Sequence, residues 1–189
     1  MRKCTIDDKE LVVSILTEAF TEDPHMNYLF NKTKFSTYSK LLIEFAFDET
    51  IRKGEVYIDN TNSAVMMLNT EKKEQFSINI ITRHLKLIFN ISPVTAIKLL
   101  NVGAKTQQLL QGHKKYVYIY FIGTRKIQRG TGLASVLMNP IIEKCKINNT
   151  AIFLETTNPL NIPIYKKKGF QIIESIQKEN IMLHSMKLK

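Results

Sequence analysis

The stretch RKIQRGTGLASVL, Arg125 to Leu137, holds two of the chain's seven glycines, Gly130 and Gly132, one residue apart between basic residues and an apolar run. Glycine is costly inside regular structure and useful where backbone turns tightly or lets a ligand come close. A β-rich run, YVYIYFIG at 116–123, precedes this turn, and an apolar helical pattern follows it. The turn therefore opens a helix, whose N-terminus carries about half a positive charge and several unpaired N–H groups. Residues without side chains let a phosphate sit directly on that backbone, and Arg129 adds a permanent positive charge. The chemistry favoured is binding of an anion of pyrophosphate size. The turn has neither the Gly-Lys-Ser/Thr ending of a P-loop nor the spacing of a dinucleotide fingerprint.

Other reactive groups are sparse. Cys4 and Cys145 match no metal-ligand spacing, no disulfide framework and no nucleophile setting. His25 and His113 fall in loops, where a lone histidine is usually structural or solvent-facing, and no cluster suggests a metal. Glu22 and Asp23, at a helix end, either draw a cationic amine or are simply solvated.

The elements that must position these residues follow from composition and pattern. With 189 residues, 44% hydrophobic and 23% charged, the chain reads as one soluble globular domain over 1–189. MRKCTIDDKE puts acids where a signal peptide needs apolar residues, and no apolar run approaches the roughly 18 residues that span a bilayer. The expectation is a cytoplasmic protein with reduced thiols and no membrane contact. A formal net charge of +10 implies either an anionic partner or a lysine-rich compositional bias. The lysines are spread, without a basic block or aromatic platform, so nucleic acid is not indicated.

The pattern predicts a strand at Arg2–Ile6, then a helix capped by Asp7 or Asp8 and running to about Phe20. TEDP stops it, HMNYLF forms a short turn, and a second helix covers about 34–52 with Gly54 ending it. Strands at 55–59 and 64–68 flank a hairpin loop of Asn60, Thr61, Asn62 and Ser63. A helical insert over about 77–112 is broken by NISP. The central strand at 116–123 follows, then a helix of about four turns with Pro140 as a mid-helix irregularity, a strand at 151–156, a short helix closed by Gly169 and a final antiparallel pair. The order is mixed α/β.

In this setting RGTGLA, Arg129 to Ala134, resembles the Arg/Gln-x-x-Gly-x-Gly/Ala acetyl-CoA signature of the GNAT N-acetyltransferase superfamily. YIYFIGT resembles the family's central strand. LETTNPLNIPIYKKKGF, Leu154 to Phe170, resembles its second motif, a strand followed by Asn-x-x-x-Tyr and a terminal Gly-Phe. The early AFTEDPHMNYLF looks like the opening of the branch that includes puromycin-type acetyltransferases. The match is specific over about 115–175, loose over the first 70 residues and absent as a motif from 71 to 112.

The resemblance implies a GNAT-like fold: a mostly antiparallel central sheet, splayed at a bulge and flanked by helices, with acetyl-CoA as acyl donor and no metal. The backbone of Phe121, Ile122, Gly123 and Thr124 would pair with the pantetheine arm, as an added strand does. For Gly123 an ordinary strand bulge is the plain alternative. Arg129, Gly130, Thr131, Gly132, Leu133 and Ala134 would hold the pyrophosphate, with Arg125 and Lys126 either screening phosphate charge or solvated. Asn161 would face the cofactor; Asn158 could join it or cap the short helix.

Tyr165 falls on the family's tyrosine that protonates the departing thiolate. Glu155 is the carboxylate best placed as general base, and Tyr118 and Tyr120 share a strand face that could line a water path. The implied activity is direct transfer of acetyl from acetyl-CoA to a primary amine, on a small molecule or a peptide. Two other readings compete: a non-catalytic CoA-binding regulatory module and, from the charge alone, a nucleic-acid-associated protein. The acceptor site is expected between 23–30 and the 77–111 insert. The identity of the amine and the oligomeric state, a homodimer among the options, are not written in the sequence.

Overall fold

Apolar residues run consecutively along 64–68, 116–122 and 151–154, so a sheet built from them has two apolar faces to cover, and helices from both halves of the chain cover them. The computed structural model describes residues 1–30, 34–60, 63–69, 87 and 89–188. Seven strands form one sheet: β1 (Arg2–Lys3), β2 (Gly54–Ile58), β3 (Ser63–Asn69), β4 (Tyr116–Thr124), β5 (Ala151–Thr156), β6 (Gln171–Lys178) and β7 (Ile181–Leu188), in the order β1-β2-β3-β4-β5-β7-β6. Every neighbouring pair is antiparallel except β4 with β5, which are parallel. This is the mixed, mostly antiparallel sheet that the sequence predicts.

Among the described residues six α-helices flank it: α1 (Lys9–Ala19), α2 (Pro24–Leu29), α3 (Phe35–Lys53), α4 (Pro93–Leu110), α5 (Leu133–Ile147) and α6 (Asn161–Lys167). On one face Val12, Ile15 and Leu16 of α1 and Ile43, Ala46 and Phe47 of α3 pack on Val56, Ala64, Met66 and Phe121. On the other, Leu137, Met138, Ile141 and Ile142 of α5 pack on Val65, Met67, Ile119, Ile152 and Leu154. Among the described residues no helix is long and apolar enough to cross a membrane.

Several local expectations are corrected. HMNYLF is not a turn. Asp23 Oδ1 accepts from the Met26 N–H at 3.1 Å and Pro24 occupies the first helical turn, which together nucleate α2. Asp8 does not cap α1 through its side chain; its carboxylate instead takes the Thr5 N–H at 2.8 Å and the Arg2 guanidinium. Gly54 ends α3 as expected, its N–H donating to the Thr50 carbonyl, and with extended backbone it also opens β2. Helix α5 continues through Pro140. The expected break at NISP is observed: Ser92 Oγ accepts from the Thr95 N–H and Pro93 starts α4. The expected helical segment over 78–89 and the loop residues Thr61 and Asn62 lie outside the described residues, apart from positions 87 and 89.

Candidate active site

The site begins as a fork in the sheet. β4 and β5 pair from Tyr116↔Ala151 to Ile119↔Leu154, and there the pairing ends, although β4 continues to Thr124 and β5 to Thr156. On the other side of β4 the register with β3 slips between Met66 and Met67, leaving Tyr120 as the extra residue of a bulge. A bulge bends its strand and increases its twist, which carries the end of β4 away from β5. The backbone of Phe121, Ile122, Gly123 and Thr124 therefore lines an opening with no strand opposite it among the described residues. Unpaired strand N–H and C=O groups are an edge ready for an extended, amide-bearing ligand.

Gly123 is not the bulge. It pairs regularly with Ala64, and a Cβ there would lie 2.6 Å from the Ala19 Cβ. Glycine lets α1 approach β4 closely, and Phe20 meets Phe121 edge-on just beyond that contact, at 5.1 Å between centroids.

β4 runs directly into the glycine turn. Gly130 and Gly132 have φ of 80° and 81°, and a Cβ on either would meet nothing within 4 Å. Backbone conformation, rather than crowding, demands glycine here, and the space above the turn is open. Thr131 Oγ1 donates to the Gln128 carbonyl at 2.6 Å, and Leu133 and Ala134 begin α5.

The cations around the turn do not wait on a ligand as expected. Arg129 reaches back to α1, with Glu22 at 2.6 Å and the Ala19 carbonyl at 2.9 Å. Arg125 pairs with Glu18 at 2.8 Å and Lys126 with Glu22 at 2.8 Å. These residues clamp the turn to the end of α1, and Glu22 is committed to the clamp rather than to an acceptor. The positive element left for an anion is the α5 N-terminus itself.

Beneath the fork lies a cleft of about 1200 Å³, walled by α2, α3, α4 and the ends of β4 and β5. Among the predicted residues it gathers Phe121, Ile122, Glu155, Asn161 and Tyr165; the glycine turn lies outside its walls. Asn161 opens α6 and lines the cleft. Asn158 does not: its Oδ1 accepts from the Leu160 N–H at 3.0 Å in a local turn. Burial, with the Asp23 charge adding to it, pushes the Tyr165 phenol up to about 12.

Glu155 accepts three hydrogen bonds: from Tyr118 at 2.9 Å and Thr106 at 2.7 Å on Oε2, and from Ser185 at 3.0 Å on Oε1. Burial and the adjacent Glu155 charge hold the Tyr118 phenol well above its ordinary value. Tyr120 is pushed up to about 12 by burial and the Glu49 charge.

The cleft also takes in groups that the sequence pattern placed elsewhere or passed over. Asp23 is not a solvated acid: it lines the cleft, and burial raises its carboxyl above the ordinary range. His25, the second residue of α2, is lowered by burial against the opposing pull of Asp23. His113 stacks at 4.8 Å on Phe153 and is lowered by burial and Lys187. Glu49 and Thr106 are additions on α3 and α4. The sequence carried no signal for them, because a polar residue on an amphipathic helix reads as a solvent-facing position. Neither cysteine has a nucleophile's setting: both are buried, and burial pushes Cys4 up to about 11.

A sheet forked after a parallel pair, with a glycine turn capping the following helix and a tyrosine in the cleft below, defines a class, and the family comparison agrees with it. Residues 101–189 match the family model described as the acetyltransferase (GNAT) domain. Over those residues the chain is similar to the family's acetyltransferase domain. Its backbone is similar to a histone acetyltransferase HPA2 and related acetyltransferase from Corynebacterium glutamicum, with a TM-score of 0.67, 19% identity, and coverage of 98% of this chain and 93% of that one. It is also similar to the polyamine N-acetyltransferase of Drosophila melanogaster, with a TM-score of 0.68, 11% identity, and coverage of 99% and 97%. A third likeness is to Arabidopsis thaliana Naa50, solved with a bisubstrate CoA-peptide analogue, at a TM-score of 0.57, 16% identity, and coverage of 100% and 96%.

Proposed function

We propose that the protein moves the acetyl group of acetyl-CoA directly to a primary amine, with residues 1–189 working as one unit. The observation that carries this reading is the fork: β4 and β5 part after Ile119 and Leu154, above a cleft that holds Tyr165 and Glu155. The β5-facing edge of Phe121–Thr124, which has no strand partner among the described residues while the other edge pairs with β3, suits the amides of the pantetheine arm. The open turn at Gly130 and Gly132, with Thr131, Leu133 and Ala134, suits the pyrophosphate on the α5 N-terminus. Arg129 fixes the turn from behind, and Asn161 meets the arm from the opposite wall.

In the reaction, a backbone N–H of the fork stabilises the negative charge that develops on the thioester oxygen. An amine of reference pKa about 10.4 must lose a proton before it attacks, and Glu155 takes that proton directly or through a water held by Tyr118 and Tyr120. Tyr165, still protonated at any working pH, donates to the departing sulfur. The walls that raise its pKa also desolvate the thiolate and raise its basicity, so donor and acceptor shift together. Glu155, which has no ion-pair partner among the described residues, favours a cationic acceptor, on a small molecule or a peptide N-terminus. Buried thiols at Cys4 and Cys145, neither in a disulfide among the described residues, fit a reducing, cytoplasmic setting.

The test is calorimetry with acetyl-CoA on the wild type, Gly130→Glu and Tyr165→Phe, followed by turnover on a panel of amines. The expected result is binding by the wild type and Tyr165→Phe, loss of binding by Gly130→Glu, and a kcat for Tyr165→Phe reduced roughly 10²-fold, the scale of one general acid. Absence of binding by the wild type overturns the proposal. Binding without turnover of any amine leaves a CoA-binding module instead.

A further inference from the structure

Within that acetyl-transfer reading, the geometry points to Thr106 and Ser185 as positioning residues for Glu155, with helix α4 setting the cleft's carboxylate through Thr106. Three hydroxyls surround this carboxylate, and they come from three elements distant in sequence: Thr106 from α4 at 2.7 Å, Tyr118 from β4 at 2.9 Å and Ser185 from β7 at 3.0 Å. Ser185 is the cross-strand partner of Glu155, and Tyr118 lies on the strand paired with β5, so the sheet itself supplies two of the donors. The third depends on α4. That helix is docked by Thr95 Oγ1 donating to the Leu29 carbonyl at 3.2 Å and Lys98 Nζ donating to the Tyr28 carbonyl at 2.9 Å.

A hydroxyl carries one proton, and Thr106 Oγ1 has two acceptors in reach: the Val102 carbonyl at 3.1 Å and Glu155 at 2.7 Å. The charged, closer acceptor takes the proton, because charge-assisted hydrogen bonds are shorter and stronger. Threonine on a helix normally returns its proton to the carbonyl one turn back. Here it is turned to a residue of the site.

The other acids of the cleft are held differently. Glu49 is paired with Arg52 at 2.5 Å and Lys53 at 3.0 Å, and Asp23 caps α2. Glu155 has no ion-pair partner among the described residues, so its charge is oriented but not neutralised. A carboxylate accepts about four hydrogen bonds. Three are filled by the cradle, and the fourth, which no donor among the described residues takes, suits the acceptor amine or its water.

Thr106→Val removes the hydroxyl at equal volume, and Thr106→Ser keeps it. Each variant, with Ser185→Ala, is assayed for acetyl-CoA affinity and for kcat and amine KM, and the two Thr106 variants are crystallised. The Val variant should lose about tenfold in kcat, the scale of one hydrogen bond to a charge, with acetyl-CoA affinity unchanged. The Ser variant should recover most of it. Glu155 should keep its place in the Ser crystal and swing away in the Val crystal. Wild-type kcat in the Val variant, or an equal loss in both variants, refutes the positioning role. Should the wild type turn over no amine, the acetyl-transfer reading fails alone, and the position of Glu155 in the two crystals still decides the role of Thr106.

Discussion

Gly123 shows how one residue serves packing and site together. A Cβ at this position would lie 2.6 Å from the Ala19 Cβ, closer than two methyl groups can approach. Gly123→Ala must push α1 from β4, at a cost of about 1–3 kcal/mol as overpacking of a core, or roughly 2–12 °C in Tm for a chain of this size. Ala19→Gly in the same molecule should return most of that loss, since it vacates the colliding atom. A double mutant no more stable than Gly123→Ala would mean that the Ala19 contact is not what requires glycine there. Sequence reasoning selected Gly123 as part of the pantetheine strand and weighed a bulge as its plain role. The bulge lies at Tyr120, because only the β3–β4 register reveals which residue has no partner.

At the scale of elements, the turn from β4 into α5 was legible from spacing alone, since two glycines before an apolar helical run admit few conformations. Both adopt positive φ, and the space above them is open. Gly132→Ala should therefore cost about 1 kcal/mol of stability through its left-handed backbone and weaken acetyl-CoA binding as well. Gly132→Asn should regain part of the stability, because asparagine tolerates that conformation, without regaining affinity, because its side chain covers the N–H groups. Calorimetry and thermal melts on both variants separate the two effects; full affinity in either would remove the turn from the site. The role of Arg129 was not legible in the same way. A cation beside a phosphate turn reads as a phosphate ligand until the tertiary structure brings Glu22 and the Ala19 carbonyl within its reach.

At the scale of the whole molecule, the sheet edge and helix α5 are tied together by Glu55, which meets Lys3 at 2.8 Å and Lys144 at 3.0 Å. Burial alone would raise this carboxyl; the hydrogen bonds from Lys3 and Lys144 outweigh burial and bring it from the ordinary 4.5 to about 2. A depressed carboxylate contributes stability that is fully present above the unfolded value and lost as pH falls toward the folded one. Wild type and Glu55→Gln should therefore differ most in Tm at neutral pH and converge between about pH 4.5 and pH 2. A difference that persists unchanged to pH 2 would show that the pair contributes through packing rather than charge.

The sequence by itself determined the strands and helices with strong periodicity, the glycine turn, and the Asn161-to-Tyr165 spacing, because each is written in residues close along the chain. HMNYLF was read as a turn, although Asp23 and Pro24 form a local helix start; the short length of the segment hid it. Only the tertiary structure decided that β4 and β5 part after Ile119 and Leu154, that Asp23 and His25 line the cleft, and that Thr106 and Ser185 hold Glu155. Those contacts join α2, α4, β5 and β7, which are far apart in the chain. Periodicity reports which face of an element is buried, but not which distant element buries it.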